Sequence, residues 1–185
     1  LAVEPGLKVL EIGPGGDRAW PRADAYVDRM QMQLDSIPED KLKLLGDVCG
    51  IPCENKSFDY VYCAHVLEHC DDPELAASEL SRVAHAGCIV TPSILKEGLF
   101  NCHESDHKWM VHQHGETLFF FPVDTRQRDA FAHRDTQAVM HKLLRLGAPQ
   151  YGVDGVHMRN WWRKAEPYTD CIQHWTGSPK ITVVR

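Results

Sequence analysis

Long apolar runs are missing from this chain: no uninterrupted apolar segment approaches the roughly 20 residues that a membrane-spanning helix requires. Excess positive charge is missing too, because the formal net charge is −6, and this argues against a nucleic-acid backbone as the partner. Repeats, low-complexity tracts and a recognisable secretory signal are also lacking. The chain begins at Leu1 rather than at methionine, which is typical of a fragment.

Paired CxxC motifs are absent as well. The seven cysteines are odd in number and scattered, which predicts free, partly buried thiols in a reducing compartment. We therefore expect a cytoplasmic protein. The composition is that of one folded domain, since 43% of the 185 residues are hydrophobic and can build a core.

Short apolar runs alternate with polar connectors along the first half of the chain. Five of these runs are predicted to be strands: 7–12, 24–28, 42–46, 57–63 and 87–92. Between the last two we predict a helix with Asp72 as its cap, Pro73 in its first turn and Gly87 as its stop signal. Strands joined by crossover connections indicate an α/β fold with a parallel sheet.

The second half of the chain is less regular. Residues 108–122 are predicted to form a hairpin that turns near His114-Gly115, and residues 135–146 an amphipathic helix. Residues 171–175 and 180–184 are predicted to form a final antiparallel pair, and the stretch 148–170 a loop or cap.

A glycine-rich turn follows the first strand. The buried strand runs directly into Gly13 and Gly15, and without a Cβ atom a ligand can approach the backbone closely. Ligands of parallel sheets bind outside the carboxyl ends of the strands, so the position suits a binding site. The dinucleotide fingerprint requires a third glycine where Arg18 stands, which disfavours nicotinamide-dependent reduction.

Further motifs follow this turn in a fixed order: Asp28 at the end of the second strand, Gly46-Asp47-Val48, Ile51-Pro52, Ser57-Phe58-Asp59-Tyr60-Val61 and Val66-Leu67-Glu68-His69. With Glu11-Ile12-Gly13-Pro14-Gly15, their spacing resembles that of class I S-adenosylmethionine-dependent methyltransferases, most closely the methyltransferase type 11 family. The resemblance covers about residues 7–92. Pro21 predicts that the helix after the glycine turn is short or missing.

This resemblance implies a Rossmann-like methyltransferase fold with a mostly parallel seven-stranded sheet in the order 3-2-1-4-5-7-6 and an antiparallel last strand. We expect one domain over residues 1–185, with its core at 7–92 and hairpin or cap insertions at about 93–125 and 148–170.

The implied cofactor is S-adenosyl-L-methionine, and the resemblance carries over its binding residues as Glu11, Gly13, Gly15, Asp28, Asp47, Val48 and Ala64. Glu11 would lie close behind the glycine turn, Asp28 would hold the ribose, and Asp47 would accept from the adenine amino group. His65 and His69 are the candidate catalytic residues, because a histidine can serve as general base for a hydroxyl acceptor.

The expected activity is methyl transfer to a small-molecule or sugar-like acceptor, without a nucleic-acid or membrane partner. One alternative is a non-catalytic module that binds S-adenosylmethionine or S-adenosylhomocysteine.

A second alternative is a metal-dependent hydrolase, because His103-Glu104-Ser105-Asp106-His107 matches H-E-x-x-H. Its flanks favour a loop that enters a strand, and no matching third ligand is obvious, so no metal ligand is assigned. A non-catalytic metal site among His103, His107, His112 and His114 stays open.

Overall fold

The computed structural model describes residues 3–15, 18–94, 96, 106–123 and 170–184. In chain order its elements are β1 (Val9–Ile12), β2 (Ala25–Asp28), α1 (Gln31–Asp35), β3 (Leu42–Leu45), β4 (Phe58–Ala64), a 3-10 helix (Leu67–His69), α2 (Pro73–Val83), β5 (Ala84–Pro92), β6 (Trp109–His114), β7 (Thr117–Pro122), β8 (Asp170–Thr176) and β9 (Lys180–Val183). The predicted helix at 135–146 lies outside the described residues, as does all of the predicted cap segment except its last residue.

A six-stranded sheet in the order β3-β2-β1-β4-β5-β8 forms the centre of the described structure. Its first five strands are mutually parallel, and β8 is antiparallel to β5. All four residues of β1 are buried, as expected for a strand covered on both faces. The predicted α/β fold with a mostly parallel sheet is confirmed.

The predicted pairing of the last two strands is wrong. Residues 171–175 lie in β8, which pairs with β5, whereas β9 pairs in parallel with β7. Strands β6, β7 and β9 thereby form a separate three-stranded sheet, and the sheet that contains β1 has six described strands rather than seven. Alternating burial reveals that each segment is a strand, but it does not reveal which sheet edge the strand joins.

Helix α2 begins as the sequence predicts, because the Asp72 side chain accepts a hydrogen bond from the Leu75 N–H at 3.0 Å and Pro73 occupies the first turn. The helix ends at Val83, and Gly87 is not its stop signal but lies inside β5. A Cβ atom on Gly87 would lie 2.6 Å from the Val61 carbonyl oxygen. The close approach of β4 to β5 therefore requires glycine there.

The predicted hairpin at 108–122 is confirmed, with β6 and β7 antiparallel and the turn at residues 115–116. Its buried side chains join the hydrophobic core of the central sheet. The start of the hairpin is attached to the loop after β4: the Lys108 N–H donates to the Glu68 carbonyl at 2.7 Å, and the Trp109 indole donates to the Cys70 carbonyl at 2.8 Å.

Among the helices of the described ranges, none has both the length and the apolar character needed to cross a bilayer. The six described cysteines are free thiols.

Candidate functional site

A cavity of about 280 Å³ lies at the carboxyl ends of β1 to β4, close to the lower limit for small-molecule sites, about 300 Å³. Its walls come from four strand ends and from the start of the hairpin segment: Ile12, Gly13, Gly15, Val27, Asp28, Arg29, Met30, Gln33, Gly46, Asp47, Val48, His65, Val66, His69, Cys70 and Asp106. Parallel strands present their ligand site at this edge.

The glycine turn forms one wall through backbone rather than side chains. Gly13 and Gly15 have φ angles of +67° and +61°, values that other residues adopt only with strain. The Gly13 N–H donates to the Val27 carbonyl at 2.8 Å, which fixes the turn against β2. A Cβ atom on Gly13 would lie 2.3 Å from Val66 Cγ2, so any side chain here would push into the cavity wall.

Two carboxylates lie at the ends of the neighbouring strands β2 and β3. Asp28 Oδ1 accepts from the Met30 N–H at 2.8 Å, and Asp47 Oδ1 accepts from the Cys49 N–H at 2.8 Å. Each carboxylate is therefore oriented by its own loop through one oxygen. In the described part of the chain the other oxygen of each accepts no hydrogen bond, which leaves it available to a hydroxyl or an amino group.

Glu11 does not line the cavity but lies behind the glycine turn. Its side chain is 4% exposed, and Oε2 accepts from the Trp20 N–H at 2.7 Å. Burial raises the pKa of Glu11 from 4.5 to about 7, although the bond from the Trp20 N–H acts in the opposite direction. Ala64, the last residue of β4, is also absent from the cavity wall, whereas its neighbour His65 is part of it.

The substitution Glu11→Gln is expected to stabilise the fold at neutral and alkaline pH. Because the carboxyl pKa is higher in the folded state than in the unfolded state, the contribution of Glu11 to wild-type stability falls as the pH rises from about 4.5 to about 7 and then levels off. The amide keeps an acceptor for the Trp20 N–H and does not ionise. Denaturant unfolding at several pH values should show a gain near zero at pH 4 that grows to on the order of 2–3 kcal/mol at pH 8.

Glu54→Gln is the matched control for this experiment, since Glu54 is exposed and its substitution should give no such pH dependence. A gain for Glu11→Gln that is equal at pH 4 and pH 8 would contradict a raised carboxyl pKa.

His65 stands at the end of β4 with a φ angle of +56° and is 43% exposed. Its Nδ1 lies 3.4 Å from Glu68 Oε1, and its Nε2 lies 3.6 Å from Asp170 Oδ2. Burial alone would lower the pKa of His65, but interactions with Asp170 and Glu68 outweigh it and raise the pKa to about 9. At neutral pH the ring is therefore charged and has no lone pair to accept a proton.

His69 also lines the cavity, one turn further along. Its Nδ1 lies 2.9 Å from Asp106 Oδ1, and its ring centroid lies 4.5 Å from that of His107. Both sequence-derived catalytic candidates thus reach the same cavity as the glycines and the two aspartates. The raised pKa of His65 counts against a general-base role for that residue at neutral pH. For His69 the general-base assignment stays a prediction.

The sequence did not single out several residues of this wall. Arg29 and Met30 follow Asp28 directly, so proximity to a strand end could have indicated them. Asp106, and the His65 partner Asp170, come from segments distant in sequence, and no local pattern marks them.

Of the H-E-x-x-H motif, His103 and Glu104 lie outside the described residues. His107 groups with Glu68 and His69 instead. His112 and His114 are exposed on β6 and do not belong to that group.

Residues 10–91 match the profile of a family described as a methyltransferase domain. The match covers the glycine turn, both aspartates and His69. This part of the chain is therefore similar to a methyltransferase domain, and the similarity implies S-adenosylmethionine as the cofactor. No curated protein sequence matches the chain.

Solved structures described as methyltransferases are similar to part of the chain. A possible histamine N-methyltransferase from Thermotoga maritima is 22% identical over 55% of this chain and 54% of its own, with a TM-score of 0.46. A putative methyltransferase from Bacillus halodurans is 15% identical over 60% and 66%, with a TM-score of 0.45. The chain thus spans about half the length of the first of these.

Proposed function

We propose that this chain binds S-adenosylmethionine in the cavity at the ends of β1 to β4 and transfers its methyl group to a small-molecule or sugar-like acceptor. The observation that carries the proposal is the order of groups along one edge of the sheet: Asp47 after β3, Asp28 at the end of β2, the glycine turn after β1 and His65 after β4.

This order matches the chemical order of the cofactor. Asp47, with the Val48 backbone beside it, would receive the adenine, and Asp28 would accept from the ribose hydroxyls. Gly13 and Gly15 would provide the space for the amino-acid end and the ribose, and a side chain at residue 13 would displace Val66 of the cavity wall. Glu11 would support the turn from behind through its bond to the Trp20 N–H rather than contact the cofactor.

The bound cofactor supplies an activated methyl group on a sulfonium, so the protein mainly has to align the acceptor with it. His65, His69 and the segment that follows Ala64 lie on the β4 side of the cavity, away from Asp47. These residues would face the methyl group and the acceptor. The cavity walls contain few positive charges, which is compatible with an acceptor other than a polyanion.

The substitutions Asp28→Asn and Asp47→Asn are expected to weaken binding of S-adenosylmethionine and S-adenosylhomocysteine. Both variants keep the acceptor for the Met30 or Cys49 N–H, so the loops should stay in place. An amide is a weaker acceptor than a carboxylate, and a loss of about 1–3 kcal/mol corresponds to roughly 5- to 150-fold in Kd. Isothermal titration calorimetry measures this directly.

Asp59→Asn is the matched control, because this carboxylate also accepts a backbone N–H, from Lys8 at 2.7 Å, but lies at the opposite end of β4. The affinity of the Asp59→Asn variant for S-adenosylmethionine and S-adenosylhomocysteine should equal that of the wild type. A wild-type protein that binds neither nucleoside would reject the proposal. If the protein binds S-adenosylmethionine but forms no S-adenosylhomocysteine with any acceptor of a panel, the result would favour the non-catalytic binding module.

A further inference from the structure

The 3-10 helix after β4 holds a buried carboxylate that lacks a hydrogen-bond donor. Glu68 is 0% exposed, and within the described residues neither of its oxygens accepts a hydrogen bond. Two imidazole nitrogens approach Oε1 without bonding to it: His65 Nδ1 at 3.4 Å and His69 Nε2 at 3.9 Å. Burying a carboxylate is costly unless a cation and donors compensate it, so this position favours a nearby cation.

His107 completes a group of three possible metal ligands with Glu68 and His69. One donor atom from each residue lies within 4.8 Å of the other two. The rings of His69 and His107 stand nearly perpendicular, at 74°. A tetrahedral zinc ion with bonds of about 2.0–2.1 Å needs donors about 3.4 Å apart, so side-chain rotations that move these atoms by roughly 1 Å would complete the site.

Asp106 lies behind the His69 ring, where the second nitrogen of a metal-bound histidine needs an acceptor. Its Oδ1 is 2.9 Å from His69 Nδ1, which leaves Nε2, the nitrogen on the Glu68 side, for a metal. The pair is close but not aligned as a hydrogen bond, and the same small ring rotation would align it. Ligating histidines commonly donate their second ring N–H to a carboxylate.

The backbone holds the two segments of this group together, because the Lys108 N–H donates to the Glu68 carbonyl. Glu68, His69 and His107 therefore meet through this backbone contact, and only His107 of the three belongs to the H-E-x-x-H motif.

We propose that Glu68, His69 and His107 bind a divalent transition-metal ion of the zinc class, with Asp106 as the hydrogen-bond acceptor behind His69. Imidazole and carboxylate ligands suit Zn²⁺, and three protein ligands leave a coordination position open. Because His69 and Asp106 line the cavity, this position lies beside it. Either water or an oxygen atom of the methyl acceptor would occupy the open coordination position. Occupation by the acceptor rests on the proposed function.

The competing explanation is that Glu68 belongs only to an ion-pair cluster. His65 lies between Glu68 and Asp170, and a charged imidazole there would compensate part of the buried negative charge. Such a cluster needs neither His107 nor the contact between Asp106 and His69. Substitutions at residues 106 and 107 therefore distinguish the two explanations.

Metal titration of the chelator-treated full chain tests the proposal. Co²⁺ should bind at one equivalent and give visible d–d bands, without the near-ultraviolet thiolate band that a cysteine ligand would produce. Zn²⁺ affinity, measured by competition with a chromophoric chelator, should fall on the order of 100-fold in Glu68→Gln, His69→Ala and His107→Ala, and about 10- to 100-fold in Asp106→Asn. His112→Ala removes an exposed histidine of β6 and should change nothing.

The shift in Tm that Zn²⁺ causes is a second measurement of metal binding, and it can be made even on a variant with a destabilised fold. Zn²⁺ should raise the Tm of wild type and of His112→Ala, but not that of His107→Ala, because a ligand that binds only the native state stabilises it. Equal Zn²⁺ affinity in all variants, or a thiolate band with Co²⁺, would overturn the site. Calorimetry with S-adenosylmethionine on the metal-free protein is a separate readout, so a failed metal site and a failed proposed function are distinguishable.

Discussion

Gly13→Ala is expected to destabilise the fold by about 2–4 kcal/mol and to lower cofactor affinity at least about tenfold. The new Cβ atom would meet Val66 Cγ2 at 2.3 Å, and the φ angle of +67° is itself unfavourable for alanine. Left-handed backbone costs about 1–2 kcal/mol outside glycine, and overpacking typically adds about 1–3 kcal/mol. Denaturant unfolding measures the first effect, and calorimetry with S-adenosylmethionine measures the second.

Gly15→Ala separates the two contributions to this loss. Its φ angle is similarly positive, but its Cβ atom would have no neighbour closer than 3.9 Å, so only the backbone cost of about 1–2 kcal/mol is expected. Adding Val66→Ala to Gly13→Ala should recover part of the difference. If Gly13→Ala and Gly15→Ala lose the same stability, the contact between the glycine turn and the loop after β4 is not as close as described.

Gly87→Ala is expected to cost a similar amount, about 2–4 kcal/mol, for a different reason. The φ angle of Gly87 is ordinary, but a Cβ atom there would lie 2.6 Å from the Val61 carbonyl oxygen and 2.7 Å from the Trp175 ring. Neither the backbone of β4 nor the buried indole of Trp175, which is paired with Gly87 across β5 and β8, can move without disturbing the sheet, and overpacking of this kind destabilises. The loss should appear in the free energy of unfolding measured with denaturant.

Gly50→Ala is the control, because nothing lies within 4 Å of the place that its new Cβ atom would take and the change should alter stability by less than about 1 kcal/mol. A Gly87→Ala variant as stable as Gly50→Ala would contradict the close packing of β5 on its neighbours.

Local patterns were sufficient to predict the first half of the chain. Short apolar runs mark β1 to β5, and Asp72-Pro73 marks the start of α2, because capping and burial act over a few residues. The meeting of Gly13, Gly15, Asp28 and Asp47 at one cavity was also predictable, since each motif follows its own strand and parallel strands bring their carboxyl ends to one edge. Their role in cofactor binding stays a prediction. The family resemblance added the expected role of each residue.

Contacts that depend on tertiary packing were not predictable in this way. Gly87 was interpreted as a helix stop, although the space it leaves is needed by Val61 and Trp175. The pairing of β8 with β5 and of β9 with β7 depends on which edges are free after the rest has folded. Asp106 and Asp170 reach the two histidines from distant segments, and nothing in their surroundings predicts those partners.

Because the hairpin is attached to the loop after β4, two separate parts of the polypeptide form the two walls of the cavity. In the proposed function the β1–β3 segment would supply the groups for the nucleoside, whereas the opposite wall includes the loop that the bonds of Lys108 and Trp109 to Glu68 and Cys70 hold in place. Sequence drift in the hairpin can therefore reshape acceptor preference while donor recognition persists, so relatives with different hairpins would be expected to share a methyl donor and diverge in what they methylate.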